Sequence, residues 1–239
     1  HNNVATINVG TTLKVTGYNG KTNGAIDFDG VDDYLSIGSK MNQIQSMSFW
    51  MKPDDTTSRG ILQFDSDQYL KLSSKSTLNM VGVPNRYLSL YVDGQSTRVN
   101  QTNSIATLNI GAWQHGVISI SNEAHSITTD PTETYIGRVG TSYFDGSLDE
   151  IKLFNYPLSS GQAKDLYNTS EAKIVNNLGN QNATYTHVKT NKRGESLGPP
   201  EVEVARDNVL VHLKCDETSG VAIKDSSNQL LPKEKNQLQ

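Results

Sequence analysis

The chain has a single cysteine in 239 residues. Without a second thiol no internal disulfide can form, so cysteine usage says nothing about the compartment. Charge is also sparse: Asp, Glu, Lys and Arg make up 19% of the residues and the net charge is −4, which excludes the basic surface that nucleic acid requires. Nothing approaches the run of about 18 apolar residues that spans a bilayer as a helix. Catalytic signatures are missing too. There is no Gly-x-Ser-x-Gly elbow and no phosphate-binding loop. Asp149 and Glu150 are adjacent, which in a regular strand sends them to opposite faces. Glu201 and Glu203 share a face but lie in a polar stretch, and His1, His115, His125, His187 and His212 have no nucleophile pattern beside them. The chain also lacks a signal peptide and starts at His1 rather than Met, which reads as a mature or excised segment. Together these absences predict a chain that is not an enzyme.

What the sequence does have is short alternating runs separated by turn chemistry. Ala25–Phe28 leads into Asp29-Gly30, and Tyr34–Ile37 reads as the return strand of a hairpin. Met47–Lys52 is a strand stopped by Pro53-Asp54-Asp55. Ile61–Phe64 and Tyr69–Leu72 flank an Asp-Ser-Asp turn, and Leu88–Val92 meets Asp93-Gly94, a strong hairpin signal. Trp113–Ile120, Thr134–Gly137 and Ser147–Phe154 complete the series. Many short strands at near-regular spacing predict an all-β sandwich. One helix is predicted from Ser159, with Gln162 three residues on as a capping box, an apolar stripe of Leu158, Ala163, Leu166 and Tyr167, and an end near position 168. Residues 169–208 read as a polar linker with weak strands at 183–188 and 202–204. A clear strand follows, with Val209, Val211, Leu213 and Cys215 on one face, and then a polar tail.

Several of these segments resemble one family in order. Ala25–Leu35, Ser48–Pro53, Trp113–Val117, Gly146–Leu153 and the helix from Leu158 to Tyr167 are similar to the motifs of the laminin-G-like, concanavalin A-like and pentraxin-like jelly rolls. The resemblance covers most of residues 2–168. It implies a concanavalin A-like jelly-roll sandwich of two antiparallel sheets with one short C-terminal helix. It implies binding, adhesion or architecture at an extracellular or cell-surface location more than catalysis. The glucanases of this fold carry a Glu-x-Asp-x-Glu strand, and no such pattern occurs here. The family's opening strand and its Asp-Ser-Ser-Asn loop are missing ahead of His1 and occur instead at 209–239. The chain therefore reads as a sandwich over 1–168, a linker, and a displaced first strand.

Three roles for that strand stand open: the start of the next module in a tandem array, completion of its own sandwich, or donation to a neighbouring copy. Burial of three or four such aliphatic residues stabilises by about 5–10 kcal/mol as an upper estimate. That rivals the whole stability of a typical domain, about 5–15 kcal/mol, so some strand must fill the place. The resemblance also implies calcium held by Asp149, Glu217 and Asp225, with Asp216 as substitute. Asp29, Asp32 and Asp33 form a second acidic cluster that reads as turn chemistry, as do Asp65 and Asp67. Trp50 and Trp113 read as core, while Tyr87, Tyr91 and Tyr143 are candidate exposed contacts. Three sequons, at Asn100, Asn168 and Asn182, are glycosylation candidates. The expected partners are other copies or adjacent repeats, and glycans. The first expectation is an extracellular structural or adhesive module joined by strand completion, and the alternative is a calcium-dependent carbohydrate-binding module.

Overall fold

The computed structural model describes residues 4–8, 14–38, 41–73, 77–97, 108–130, 132–171, 209–215 and 222–224. Seventeen strands, one α-helix and two short 3-10 turns, Asn85–Tyr87 and Glu123–His125, lie within them. In chain order the strands are β1 (Val4–Asn8), β2 (Lys14–Val15), β3 (Ala25–Asp29), β4 (Tyr34–Ile37), β5 (Ser46–Pro53), β6 (Arg59–Gln63), β7 (Tyr69–Leu72), β8 (Leu78–Val81) and β9 (Leu88–Val92). They continue with β10 (Gln95–Thr97), β11 (Gln114–Ile120), β12 (Tyr135–Ile136), β13 (Arg138–Val139), β14 (Ser142–Tyr143), β15 (Asp145–Phe154), β16 (Val209–Leu213) and β17 (Ala222–Lys224). The helix, α1 (Ser160–Glu171), stands between β15 and β16. No helix among the described residues is long and apolar enough to cross a membrane.

Two antiparallel sheets enclose the core. One runs β17-β1-β4-β12-β6-β7-β8; the other runs β10-β9-β11-β5-β15-β3-β2, with β16 also paired to β15. The chain crosses between sheets at β1–β2, β3–β4, β4–β5, β5–β6, β8–β9, β11–β12 and β16–β17, and it returns from β12 through the β13–β14 hairpin to β15. The result is a jelly-roll sandwich. Alternation accounts for the filling between the sheets: Leu35 and Ile37 of β4, Leu70 and Leu72 of β7, and Met47, Phe49 and Met51 of β5 all point inward and are buried.

The turns that the sequence announced are present. Asp93 and Gly94, at φ +50° and +70°, join β9 to β10 as a two-residue hairpin of the primed kind. The Oδ1 of Asp65 accepts from the Asp67 and Gln68 amides at 2.8 and 2.6 Å and closes β6 onto β7. Tyr34–Ile37, however, is not the return strand of a hairpin. β3 pairs with β15 and β2, whereas β4 pairs with β1 and β12 in the opposite sheet. The four residues between them turn a corner of the sandwich rather than a hairpin.

The capping box forms as predicted. The Ser159 amide donates to Gln162 Oε1 at 2.9 Å, and the Gln162 amide donates to Ser159 Oγ at 3.3 Å. The helix passes the expected end at 168 and runs to Glu171, since Asn and Thr each cost only tenths of a kcal/mol, up to about 0.7, in a helix. Leu158, Ala163 and Leu166 pack on Tyr91, Val117 and Phe154. This second cluster lies on the outer side of the eight-stranded sheet and explains why all seven residues of β11 are buried.

Candidate functional site

The strand expected from Val209 has a place in this sandwich. β16 pairs antiparallel with the second half of β15, Ile151 opposite Leu213 and Leu153 opposite Val211, while β3 occupies the first half of the same edge. Val211, Leu213 and Cys215 are fully buried in the main core, and Val209 is half-buried against the helix cluster. On the outer side of β16, His212 Nε2 meets Glu150 Oε2 at 2.6 Å, and Lys152 Nζ meets the same oxygen at 2.9 Å. Burial alone would raise the Glu150 carboxyl; the His212 hydrogen bond and the Lys152 charge overturn this and hold it at about 2. Burial outweighs the Glu150 contact at His212 and leaves its imidazole below the ordinary value, and since a carboxylate only accepts, the ring Nε2 is the donor of this bond.

Asp149 and Glu150 do not point to opposite faces. Glu150 has φ +48° and the register slips between Asp149 and Lys152, a bulge that breaks the alternation. Asp149 comes opposite Trp50, and Glu150 reaches Lys152, whose strand partner Ser48 shares a face with Trp50. Asp149 is buried, its Oδ1 accepts the Glu150 amide at 2.7 Å, and its Oδ2 lies where a Cβ on Gly17 would approach to 2.6 Å. Glu217, Asp225 and Asp216 lie outside the described residues.

Among the described residues, the acids that converge are Asp29, Asp32 and Asp33, with ligand atoms within 4.8 Å of one another. They could hold a hard cation. They already shape the corner between β3 and β4: Asp29 Oδ1 accepts from Val31 and Asp32 at 2.8 and 3.3 Å, and Asp33 Oδ2 accepts from Asp29 at 3.3 Å. The Val31 amide is the main reason the Asp29 carboxyl is held below its usual range. Arg59 Nη1 donates to Gly30 O at 3.0 Å, so a guanidinium already stands against this loop.

The outer face of the seven-stranded sheet carries a cluster that sequence spacing did not reveal. Tyr34 of β4 and Tyr135 of β12 point away from the core on adjacent strands, with ring centroids 5.3 Å apart and nearly perpendicular. The short β13–β14 hairpin folds over β6 on this side. Only a glycine fits beneath it at position 60, where a Cβ would stand 2.4 Å from the Val139 nitrogen. The hairpin places Arg138 over three rings at once: its guanidinium carbon is 4.8 Å from the Tyr34 centroid, 4.7 Å from Tyr135 and 5.7 Å from Tyr143. Arg138 Nε donates to Gly140 O at 2.7 Å, and the Gly140 amide donates to Gln63 Oε1 at 2.8 Å. Tyr135 donates to Thr132 O at 2.7 Å. Among the described residues nothing takes up the Arg138 terminal nitrogens or the hydroxyls of Tyr34 and Tyr143. All four side chains are half-exposed. In the same sheet Tyr135, Gln63 and Tyr69 are in register across β12, β6 and β7.

The other aromatic expectations divide. Tyr143 belongs to this cluster. Tyr87 is half-buried and stacks on His125 at 4.7 Å. Tyr91 is buried beneath α1 and is not an exposed contact; on β9 it faces the helix side, which the alternating pattern alone could not identify as covered. Trp50 is buried under Tyr18, stacked at 4.3 Å, and beside Tyr167, while Trp113 is half-buried ahead of β11. Asn168 is exposed on α1. Asn100 and Asn182, the strands expected at 183–188 and 202–204, and nearly all of the expected linker lie outside the described residues.

No family model matches the chain, and no curated protein matches its sequence. Solved structures that resemble it include a candidate carbohydrate-binding protein from Bacteroides ovatus, at 14% identity and TM-score 0.43, covering 83% of this chain and 57% of that one. A point mutant of HCR/D gives 13% and 0.34, covering 70% and 46%. The native heptameric SAP-like pentraxin of Limulus polyphemus gives 13% and 0.30, covering 60% and 81%. The chain thus spans roughly half of the first two proteins. Likeness at these identities and TM-scores carries nothing about what this chain binds.

Proposed function

We propose that the chain is a non-catalytic, extracellular binding module that holds a glycan on the outer face of the seven-stranded sheet. The observation that carries this reading is the set of three half-exposed tyrosines around Arg138, with two phenol hydroxyls and the guanidinium termini that no described residue takes up. Sugar recognition asks for such a pairing: aromatic surface for the C–H faces of a ring, and fixed donors for its oxygens. A sheet and a packed hairpin hold these groups before the ligand arrives, which lowers the ordering cost of binding. In this reading calcium supports the Asp29–Asp33 corner, which ends one residue before Tyr34, rather than contacting the sugar. A glycan array probed with the whole chain tests the proposal. Retention of a glycan, weakened at least tenfold by Tyr34→Ala or Tyr143→Ala, supports it; retention that both variants leave intact, or none at all, refutes it.

A second reading, a structural or adhesive module in which copies join by exchanging β16, draws on chain connectivity. Between the end of α1 at Glu171 and the start of β16 at Val209 lie residues 172–208, so β16 and β17 join the sandwich after β1–β15. Such a strand can close on its own chain or on a neighbour. Sedimentation across a wide concentration range separates the two readings: dimers or fibres that grow with concentration favour exchange, and a monomer throughout removes it.

A further inference from the structure

The two sheets divide the charge of the chain unequally. The strands of the eight-stranded sheet hold five acids, Asp27, Asp29, Asp145, Asp149 and Glu150. The strands of the seven-stranded sheet, with the β13–β14 hairpin packed on it, hold no acid at all. Their charged residues are Arg59, Lys71, Lys224 and Arg138. In a chain with 25 acids and a net charge of −4 this is a local inversion. Arg59 is paired with Asp55 and Asp145 at 2.6 and 3.2 Å, but among the described residues no carboxylate pairs with Arg138 or Lys71. Lys71 lies 5.9 Å from the centroid of Tyr69. Of the acids nearest Arg138 in sequence, Glu133 belongs to the turn before β12 and Asp145 pairs with Arg59, while Asp130 Oδ1 is taken by Thr132 at 2.7 Å.

Resting on the glycan reading above, we infer that the ligand of this face is an acidic glycan, one whose sugars carry carboxylate or sulfate groups. A guanidinium held by one Nε bond and surrounded by three rings, with no carboxylate paired to it among the described residues, is a receptor for an oxyanion. A neutral sugar would leave that charge unanswered in the complex. The absence of acids from the strands around Arg138 lessens the repulsion that an anion would meet there, and the nearest acidic cluster, the Asp29–Asp33 corner, lies at the end of β4 before Tyr34.

The test is affinity electrophoresis of the whole chain in calcium-free gels containing polygalacturonate, its methyl ester, dextran sulfate or dextran. The acidic polymer of one pair or the other is expected to retard the chain about tenfold or more beyond its neutral partner. Which pair shows the difference tells carboxylate from sulfate. Arg138→Gln should abolish the difference, Arg138→Lys should retain part of it, and Lys164→Gln on α1 should leave it unchanged, all three with unaltered circular dichroism melts. Equal retardation by acidic and neutral partners overturns the inference and leaves the glycan reading standing. A difference that survives Arg138→Gln, or falls equally with Lys164→Gln, also overturns it, because it would then reflect diffuse charge. Binding to none of the polymers, together with a blank neutral glycan array, overturns the glycan reading itself.

Discussion

Replacing Leu213 by Ala asks whether β16 belongs to the folded core of this chain. Leu213 is 1% exposed and stands opposite Ile151 in the β15–β16 ladder. With Val211, Leu62, Phe64 and Ile136 it lines a small apolar gap of about 10 Å³ between the sheets. Truncation removes one methine and two methyl carbons and enlarges that gap. Two hydrogen-bonded sheets cannot collapse inward to fill it, so the cost belongs within the measured range for buried Leu→Ala, about 2–5 kcal/mol, and we expect about 3. At a urea slope of about 1–3 kcal/mol per molar, the midpoint should fall by about 1–3 M with the slope unchanged. Dilution gives the second arm. If β16 closes on its own chain, the midpoint is independent of protein concentration. If the strand comes from another copy, apparent stability falls by about 1.4 kcal/mol for each tenfold dilution. A midpoint that Leu213→Ala leaves in place would show that β16 does not contribute to the cooperative fold, and the argument from burial would fail.

Acid should destabilise the sandwich in two overlapping windows. Burial, with Lys152 nearby, pushes His115 down to about 3, so its neutral form favours folding above about 6.5 and that contribution is lost as pH falls towards 3. Glu150, held at about 2, adds stability above about 4.5 that disappears as pH falls towards 2. Imidazole NMR should find His115 neutral at pH 5, beside the Ser48 hydroxyl 2.8 Å from its Nε2; titration near 6.5 would contradict the burial. Gly60→Ala should push the β13–β14 hairpin from β6, since the added carbon meets backbone at 2.4 and 2.6 Å, and weaken glycan retention while far-ultraviolet circular dichroism stays constant. Unchanged retention would show that the hairpin does not position Arg138 for the ligand.

Local chemistry made much of the fold readable. Asp93-Gly94 and the Asp65 turn each gave their hairpin, and Ser159 with Gln162 gave the helix start, because each signal acts within a few residues. The failures are non-local. Ala25–Phe28 and Tyr34–Ile37 alternate correctly, yet alternation cannot tell a hairpin from a corner that sends the second strand to the other sheet. Ser48, His115 and Ser119 are polar residues on central strands, and nothing local to those strands shows that they are covered. They are buried because α1 and the segment before β3 cover that side. The Glu150 bulge has no glycine to announce it, so the shared face of Asp149 and Glu150 was illegible. Of the candidate site, only Tyr143 was singled out. Tyr34 and Tyr135 are separated by a hundred residues and meet only because β4 pairs with β12, a contact no window of sequence contains. The outward phase of each tyrosine in its own strand was the available signal.

Cys215, the lone thiol, sits immediately beyond β16 and is completely enclosed, its sulfur 3.7 Å from the Leu213 carbonyl. A reagent that alkylates sulfur can reach it only when the ribbon peels away, so the molecule contains its own opening clock. If peeling costs about 5 kcal/mol, labelling should run several thousand-fold slower than for a free thiol, at about tenfold per 1.4 kcal/mol. Anything that loosens the ribbon would quicken that clock before spectroscopy registers a change.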